Sequence, residues 1–262
     1  MRITYLGVMC VSKRHIFRYP TIRIRKEFFA VLIVIVVGIT ILVATLNKSR
    51  AVPAYTVPDN GITVIIDPGH GGIDGGAVGY DNNTIEKDIN LSIALKLREF
   101  LVIGGYTVVM TREDDRLICD EGMNTIKKQK SSDLKNRLKI ISERPEALFI
   151  SIHQNKFTQS KYSGAQIFWG RKNDDSKILA QAIQSAFRSM LQPDNAREIK
   201  KTGKEIYLLY HSEIPSVMVE CGFLSNPEEC ERLKTDEYQN EVAFVIYAGL
   251  SQYIEACKSN TK

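Results

Sequence analysis

The chain is 262 residues long, with 44% apolar and 25% charged residues, an ordinary globular composition with room for one large domain or two small ones. The formal net charge is +5, but residues 1–50 hold nine Lys and Arg against one acid, Glu27; that segment carries +8 and leaves −3 for residues 51–262. The basic character belongs to the tail and gives no support to nucleic-acid binding by the main domain, so no nucleic-acid partner is expected.

The first predicted element explains the asymmetry. Residues 28–46 form an uncharged run rich in Val, Ile and Leu, and a helix of that length nearly crosses the roughly 30 Å hydrocarbon core. Seven of the nine basic residues precede it. The positive-inside rule therefore predicts a cytoplasmic basic tail at residues 1–27, a transmembrane helix at 28–46 and everything later outside. The run exceeds a typical signal h-region, and Ala44-Thr45-Leu46 is a poor cleavage site, so an uncleaved anchor is expected; secretion after signal cleavage is the alternative. Cys10, Cys119, Cys221, Cys230 and Cys257 lack metal-ligand spacing and are expected as free thiols.

Residues 47–61, containing Pro53, Pro58, Asp59, Asn60 and Gly61, read as a linker, 62–257 as one catalytic domain and 258–262 as a tail. Strands are predicted over 63–67, 106–111, 147–153, 164–169, 205–209 and 216–220. Runs such as Val64-Ile65-Ile66 and Leu148-Phe149-Ile150 are continuously apolar, as strands covered on both faces are. A helix is predicted over 84–103, where Ile85, Ile89, Ile93, Leu97 and Leu101 recur four apart, with Thr84 as N-cap and Gly104-Gly105 as terminator. Further helices are predicted over 131–143, 174–191 and 238–257. The alternation predicts an α/β fold: a single domain with a mostly parallel, about six-stranded sheet flanked by helices on both faces, preceded by one N-terminal transmembrane helix.

Four residues carry the candidate chemistry. His70 sits in the glycine-rich turn Asp67-Pro68-Gly69-His70-Gly71-Gly72 after the first strand, and Glu86 in the first turn of the next helix. His153 ends the apolar strand Ala147-Leu148-Phe149-Ile150-Ser151-Ile152, and Glu220 ends Ser216-Val217-Met218-Val219. In an open α/β sheet the carboxyl ends of the strands are where sites form. Two imidazoles and one carboxylate suit a catalytic Zn²⁺, which keeps a fourth position for water. Asn155 reads as a substrate hydrogen-bonding group or a turn former, and Asn90 as an orienting group for Glu86 or a packing residue. Arg112 and Arg137 read as structural ion-pair residues, and His211 is left out of the metal set.

Residues 62–254 resemble the zinc-dependent N-acetylmuramoyl-L-alanine amidases, the amidase-3 group of cell-wall hydrolases. The resemblance rests on Asp67 to Gly72, Glu86-Lys87 with Asn90 and Leu91, Met110-Thr111-Arg112, Ser151-Ile152-His153-Gln154-Asn155, Gly164-Ala165 and Val219-Glu220-Cys221-Gly222-Phe223-Leu224-Ser225-Asn226. Cys221 departs from the pattern, where a small or aliphatic residue is commoner. The resemblance implies His70, Glu86 and His153 as Zn²⁺ ligands and Glu220 as the catalytic carboxylate. The implied reaction is hydrolysis of the amide between N-acetylmuramic acid and L-alanine of the stem peptide.

By subtype the chain is similar to the germination-specific spore-cortex amidases (CwlD type), with Arg197 and Lys200 ahead of Ile206-Tyr207-Leu208. That similarity implies a part in cortex maturation (muramic-lactam formation) needed for germination. It also implies peptidoglycan (muramyl peptide) as substrate and a catalytic domain on the cell-wall or forespore intermembrane side. The membrane is a partner through the N-terminal helix read above, and a site without the inserted helix that plugs some division amidases is open to control by an accessory activating protein. Two other readings remain open. A zinc peptidoglycan peptidase of carboxypeptidase type usually draws His and Glu from one H-x-x-E stretch, whereas His70 and Glu86 are 16 residues apart. A non-catalytic wall-binding module would not require all four candidate residues.

Overall fold

A computed structural model describes residues 26–48 and 59–260. The basic residues before Lys26, with Cys10 and His15, lie outside the described residues, as does most of the expected linker. The chain divides into two units, residues 1–56 and 57–262.

In the first unit, helix α1 (Lys26–Lys48) exposes Phe28, Leu32, Val36 and Ile39. Its side chains are described at residues 27–40 and 42. Among the described residues no helix is long and apolar enough to cross a membrane, so the transmembrane helix expected at 28–46 is not established by the fold.

The second unit is built on a six-stranded mixed sheet. In chain order its elements are β1 (Thr63–Pro68), α2 (Glu86–Ile103), β2 (Thr107–Met110), α3 (Ile126–Ser142), β3 (Leu148–Asn155), β4 (Gln166–Trp169), α4 (Asp175–Met190), β5 (Lys200–Lys201), α5 (Tyr207–His211), β6 (Ser216–Phe223), α6 (Pro227–Leu233) and α7 (Asp236–Asn260). The strand order is β2-β1-β3-β6-β4-β5. All neighbouring pairs are parallel except β4 and β6, which run antiparallel.

The pleat sends alternate residues to opposite faces. Val64, Ile66, Ile150, Ile152, Val217 and Val219 enter the larger core, which is closed by α2, α4, α6 and α7. Ile65, Phe149 and Met218 enter a smaller one with Ile141 of α3 and Leu208 and Leu209 of α5. Helices thus cover both faces, but the second face is covered thinly. Cys221 and Cys230 are buried free thiols in the larger core.

The fold departs from the sequence reading in several places. The strand expected at 205–209 is the helix α5, and the sixth strand is the two-residue edge β5. A short apolar run cannot be assigned by periodicity alone; here Leu208 and Leu209 are both buried in the smaller core. Thr84 does not cap α2. The N-cap is Ile85, and the Thr84 hydroxyl donates instead to Asp81 Oδ2 at 2.6 Å. Helix α3 begins earlier than expected, where Thr125 accepts from the Lys128 N–H. Strands β3 and β6 run on to Asn155 and Phe223, so His153 and Glu220 lie inside their strands and do not end them.

Candidate metal centre

The glycine-rich turn after β1 places His70 in the left-handed backbone region, at φ 64°, a conformation that is uncommon outside glycine. Arg137 of α3 holds the turn from beneath. Its guanidinium donates to the carbonyls of Pro68 at 2.9 Å and His70 at 2.7 Å, while pairing with Asp67 at 2.6 Å and Asp133 at 2.8 Å. Among the described residues Arg112 forms no such pair; it donates to the carbonyls of Pro68, Gly69, Lys87 and Asp114. Arg137 meets the structural ion-pair expectation, and Arg112 is a clamp on backbone carbonyls.

Ligand atoms of His70, Glu86 and His153 lie within 4.8 Å of one another. Glu86 starts α2 and reaches back over the turn, with Oε2 3.3 Å from His70 Nε2 and Oε1 2.9 Å from His153 Nδ1. The N–H groups of Ala77 and Gln154 donate to the same carboxylate. Asn90, fully buried one turn along α2, donates to Glu86 Oε1 and to the Gly69 carbonyl. The orienting alternative for Asn90 is the one the geometry contains. On the far side of His70, Nδ1 lies 2.9 Å from Asp74 Oδ2, and Asp74 Oδ1 pairs with Lys130 at 2.8 Å. The sequence reading gave Asp74, Lys130 and Gln154 no role; the closeness of Asp74 to His70 in the glycine-rich turn was the one available signal.

Burial disfavours the His70 imidazolium, but Asp74 and Glu86 outweigh it and push its pKa up to about 9. Burial also works against the Glu86 carboxylate, yet His153 and His70 hold it ionised far below its ordinary range. The backbone leaves room for these groups. A Cβ at Gly69 would overlap the His153 ring, and one at Gly76 would come within 2.5 Å of Glu86 Oε2. His70 and His153 line a cavity of about 170 Å³ with Lys130, Arg137 and Leu208. Two imidazoles and one carboxylate with ligand atoms this close together fit a divalent cation of borderline softness.

Glu220 stands beside this group, as the register partner of His153 across β3 and β6. Its Oε2 is sealed from solvent without a hydrogen-bond partner. Burial pushes its pKa up to about 7, against a smaller opposing pull from His153. Asn155, two residues beyond His153, lines a second cavity of about 310 Å³ with Gln166 and Arg197. His211 lies in α5, outside the three-residue group.

The same arrangement of elements recurs in proteins of known family. The chain is 39% identical over 199 residues to the germination-specific N-acetylmuramoyl-L-alanine amidase of Bacillus subtilis, covering 76% of this chain and 82% of the relative. Among solved structures, the CwlD amidase of Clostridioides difficile, determined in complex with the GerS lipoprotein, shares 46% identity. It superposes with a TM-score of 0.72, covering 74% of this chain and 99% of that one. The Ami1 amidase of Mycobacterium smegmatis, at 17% identity and a TM-score of 0.65, repeats the fold. The sequence profile of the N-acetylmuramoyl-L-alanine amidases matches residues 64–252, the stretch that runs from β1 into α7 and contains every group described above. The chain belongs to the N-acetylmuramoyl-L-alanine amidase family.

Proposed function

We propose that this amidase acts on spore-cortex peptidoglycan, that His70, Glu86 and His153 hold Zn²⁺ for it, and that Glu220 carries the proton. The observation behind this reading is a three-donor group within 4.8 Å, with an unpartnered oxygen of Glu220 on the adjoining strand. Zinc bound there supplies Lewis acidity, acidifying a water and polarising an amide carbonyl. Glu220 removes the proton of the attacking water through its carboxylate and returns it to the nitrogen of L-alanine as the C–N bond breaks. A carboxyl with a pKa of about 7 suits both halves of that transfer near neutrality. Asp74 and Asn90 fix the orientation of His70 and Glu86, as partners of metal-ligating groups do. Asn155 offers a hydrogen bond to substrate from the cavity beside Glu220.

The cortex role is drawn from the germination-specific relative, and an accessory lipoprotein partner from the complex in which the CwlD amidase was solved. Membrane attachment through residues 28–46 belongs to the same proposal. It rests on their uncharged composition and on the basic residues before them, and with the positive-inside rule it carries the expectation that the catalytic domain, residues 62–257, lies outside the cytoplasm. The test is digestion of purified peptidoglycan with and without chelator, in the presence of zinc and the lipoprotein partner. Zinc-dependent release of peptides with free N-terminal L-alanine is expected. Release of single amino acids would identify a carboxypeptidase, and binding without cleavage a wall-binding module.

A further inference from the structure

The candidate groups continue in a row across the sheet. His70 follows β1, His153 lies on β3 and Glu220 on β6. Gln166 of β4 is the register partner of Glu220, and Lys200 of β5 is that of Phe168. Past Glu220 the row opens into the 310 Å³ cavity, lined by Asn155, Gln166, Arg197 and Lys200 with the rings of Phe168 and Phe223. Both charged residues lining this cavity are cations, and neither forms a salt bridge among the described residues. The Arg197 guanidinium is held in place, with Nη2 donating to Gln166 Oε1 at 2.7 Å and its centre 4.8 Å from the Phe223 ring. Its Nε is sealed without a partner. Lys200 Nζ lies 5.9 Å from the Phe168 ring.

A fixed guanidinium and a nearby ammonium, in a cavity walled by aromatic rings and free of acids, are complementary to a carboxylate on an otherwise compact chain. In an N-acetylmuramoyl peptide the only carboxyl of the sugar is already consumed in the scissile amide, so remaining carboxylates belong to the peptide. Neighbouring strands are about 4.8 Å apart, which puts β4 and β5 roughly 5–10 Å from Glu220. An extended peptide covers that distance in about three residues. We propose that Arg197 and Lys200 form a carboxylate subsite for the leaving peptide, selecting stems that carry a free carboxylate within about three residues of the scissile bond. This rests on the amidase reading and adds the specificity of the leaving-group side.

The test uses the zinc-loaded full chain together with the lipoprotein partner, and two soluble N-acetylmuramoyl-L-alanyl tripeptides that differ only in a free carboxylate or its carboxamide. The acid is expected to exceed the amide in kcat/KM by about 10–100-fold, with the difference in KM, the range for hydrogen bonds to a charged group. Arg197→Gln and Lys200→Gln should each move that ratio towards one, and Arg197→Lys should restore part of it. Lys200 is exposed, so its variant keeps the test decisive if Arg197→Gln fails to fold. Equal rates for acid and amide in the native protein, or an unchanged ratio in the folded variants, would overturn the subsite. Calorimetric titration with the same two peptides lacking the muramoyl group reads the preference without turnover. If neither muramoyl substrate is cleaved, the amidase reading falls, while the titration still decides the subsite.

Discussion

His153 and Glu220 are register partners on adjacent parallel strands, so the second imidazole of the donor group and a carboxylate with an unpartnered oxygen hang from neighbouring positions of one sheet face. The strands fix their separation without help from a loop. Glu220 is close enough to feel the donor group yet is not one of its three members.

That division of labour predicts the behaviour of Glu220→Gln. The amide keeps the shape of the side chain and removes its capacity to exchange a proton. Turnover should fall by about 10²–10⁴-fold, the usual contribution of a positioned acid or base. Zinc stoichiometry, measured by elemental analysis of the dialysed protein, should match that of the native chain. Loss of metal together with activity would move Glu220 into the ligand set.

The metal-free group should take up zinc in competition with protons. His70 has its pKa raised to about 9 by Asp74 and Glu86 against the effect of burial, so it is protonated at pH 7 and must lose that proton to bind a metal. Apparent affinity should therefore rise about tenfold per pH unit between 6 and 8 and level off near 9. Isothermal titration in buffers of different ionisation enthalpy should register the released proton.

Asn90→Ala should loosen the donor group without removing a donor. Asn90 ties Glu86 Oε1 to the Gly69 carbonyl and accepts from Gln154 Nε2 at 3.2 Å. Losing such a partner typically lowers metal affinity about 10–100-fold. Competition with a chromogenic chelator measures this, and an unchanged affinity would reduce Asn90 to a packing residue.

The buried pair beneath the turn predicts a stability effect with a defined pH course. Burial opposes the Asp67 carboxylate, but the Arg137 charge and hydrogen bonds from Ser151 and Thr111 outweigh it and hold its pKa below 3.8. A depressed value means that the stabilisation is complete above about pH 4 and is lost as pH falls through the folded value. Asp67→Asn should cost about 3 kcal/mol at neutral pH, because it leaves the buried Arg137 guanidinium with one carboxylate, Asp133, in place of two. Urea titrations at pH 7 and pH 3 should show the gap between native and variant proteins narrowing in acid.

Much of this was legible in the sequence because the residues concerned sit in strongly patterned segments. The apolar runs around Ile65 and Phe149 announced central strands, and four-residue spacing announced α2. The three donors and Glu220 were found because each interrupts or follows such a run. Residues 207–211 were misread because Tyr207-Leu208-Leu209-Tyr210 is too short for its period to separate helix from strand. Helix α6 went unread although Asn226-Pro227 is a cap followed by proline at the first helical position, a usable start signal. Asp74, Lys130 and Gln154 could not be placed, because their roles depend on how a turn, α3 and β3 meet in space.

The left-handed backbone at His70 bears on how the donor set could change by descent. Asn and Asp share the tolerance of His for that conformation, while Cys and Glu do not. Glu86 sits in an ordinary helix, where replacement meets no such barrier. Substitutions that retune the centre for another ion are thus expected to arise at the helical position first, with the turn behaving as the frozen half of the set.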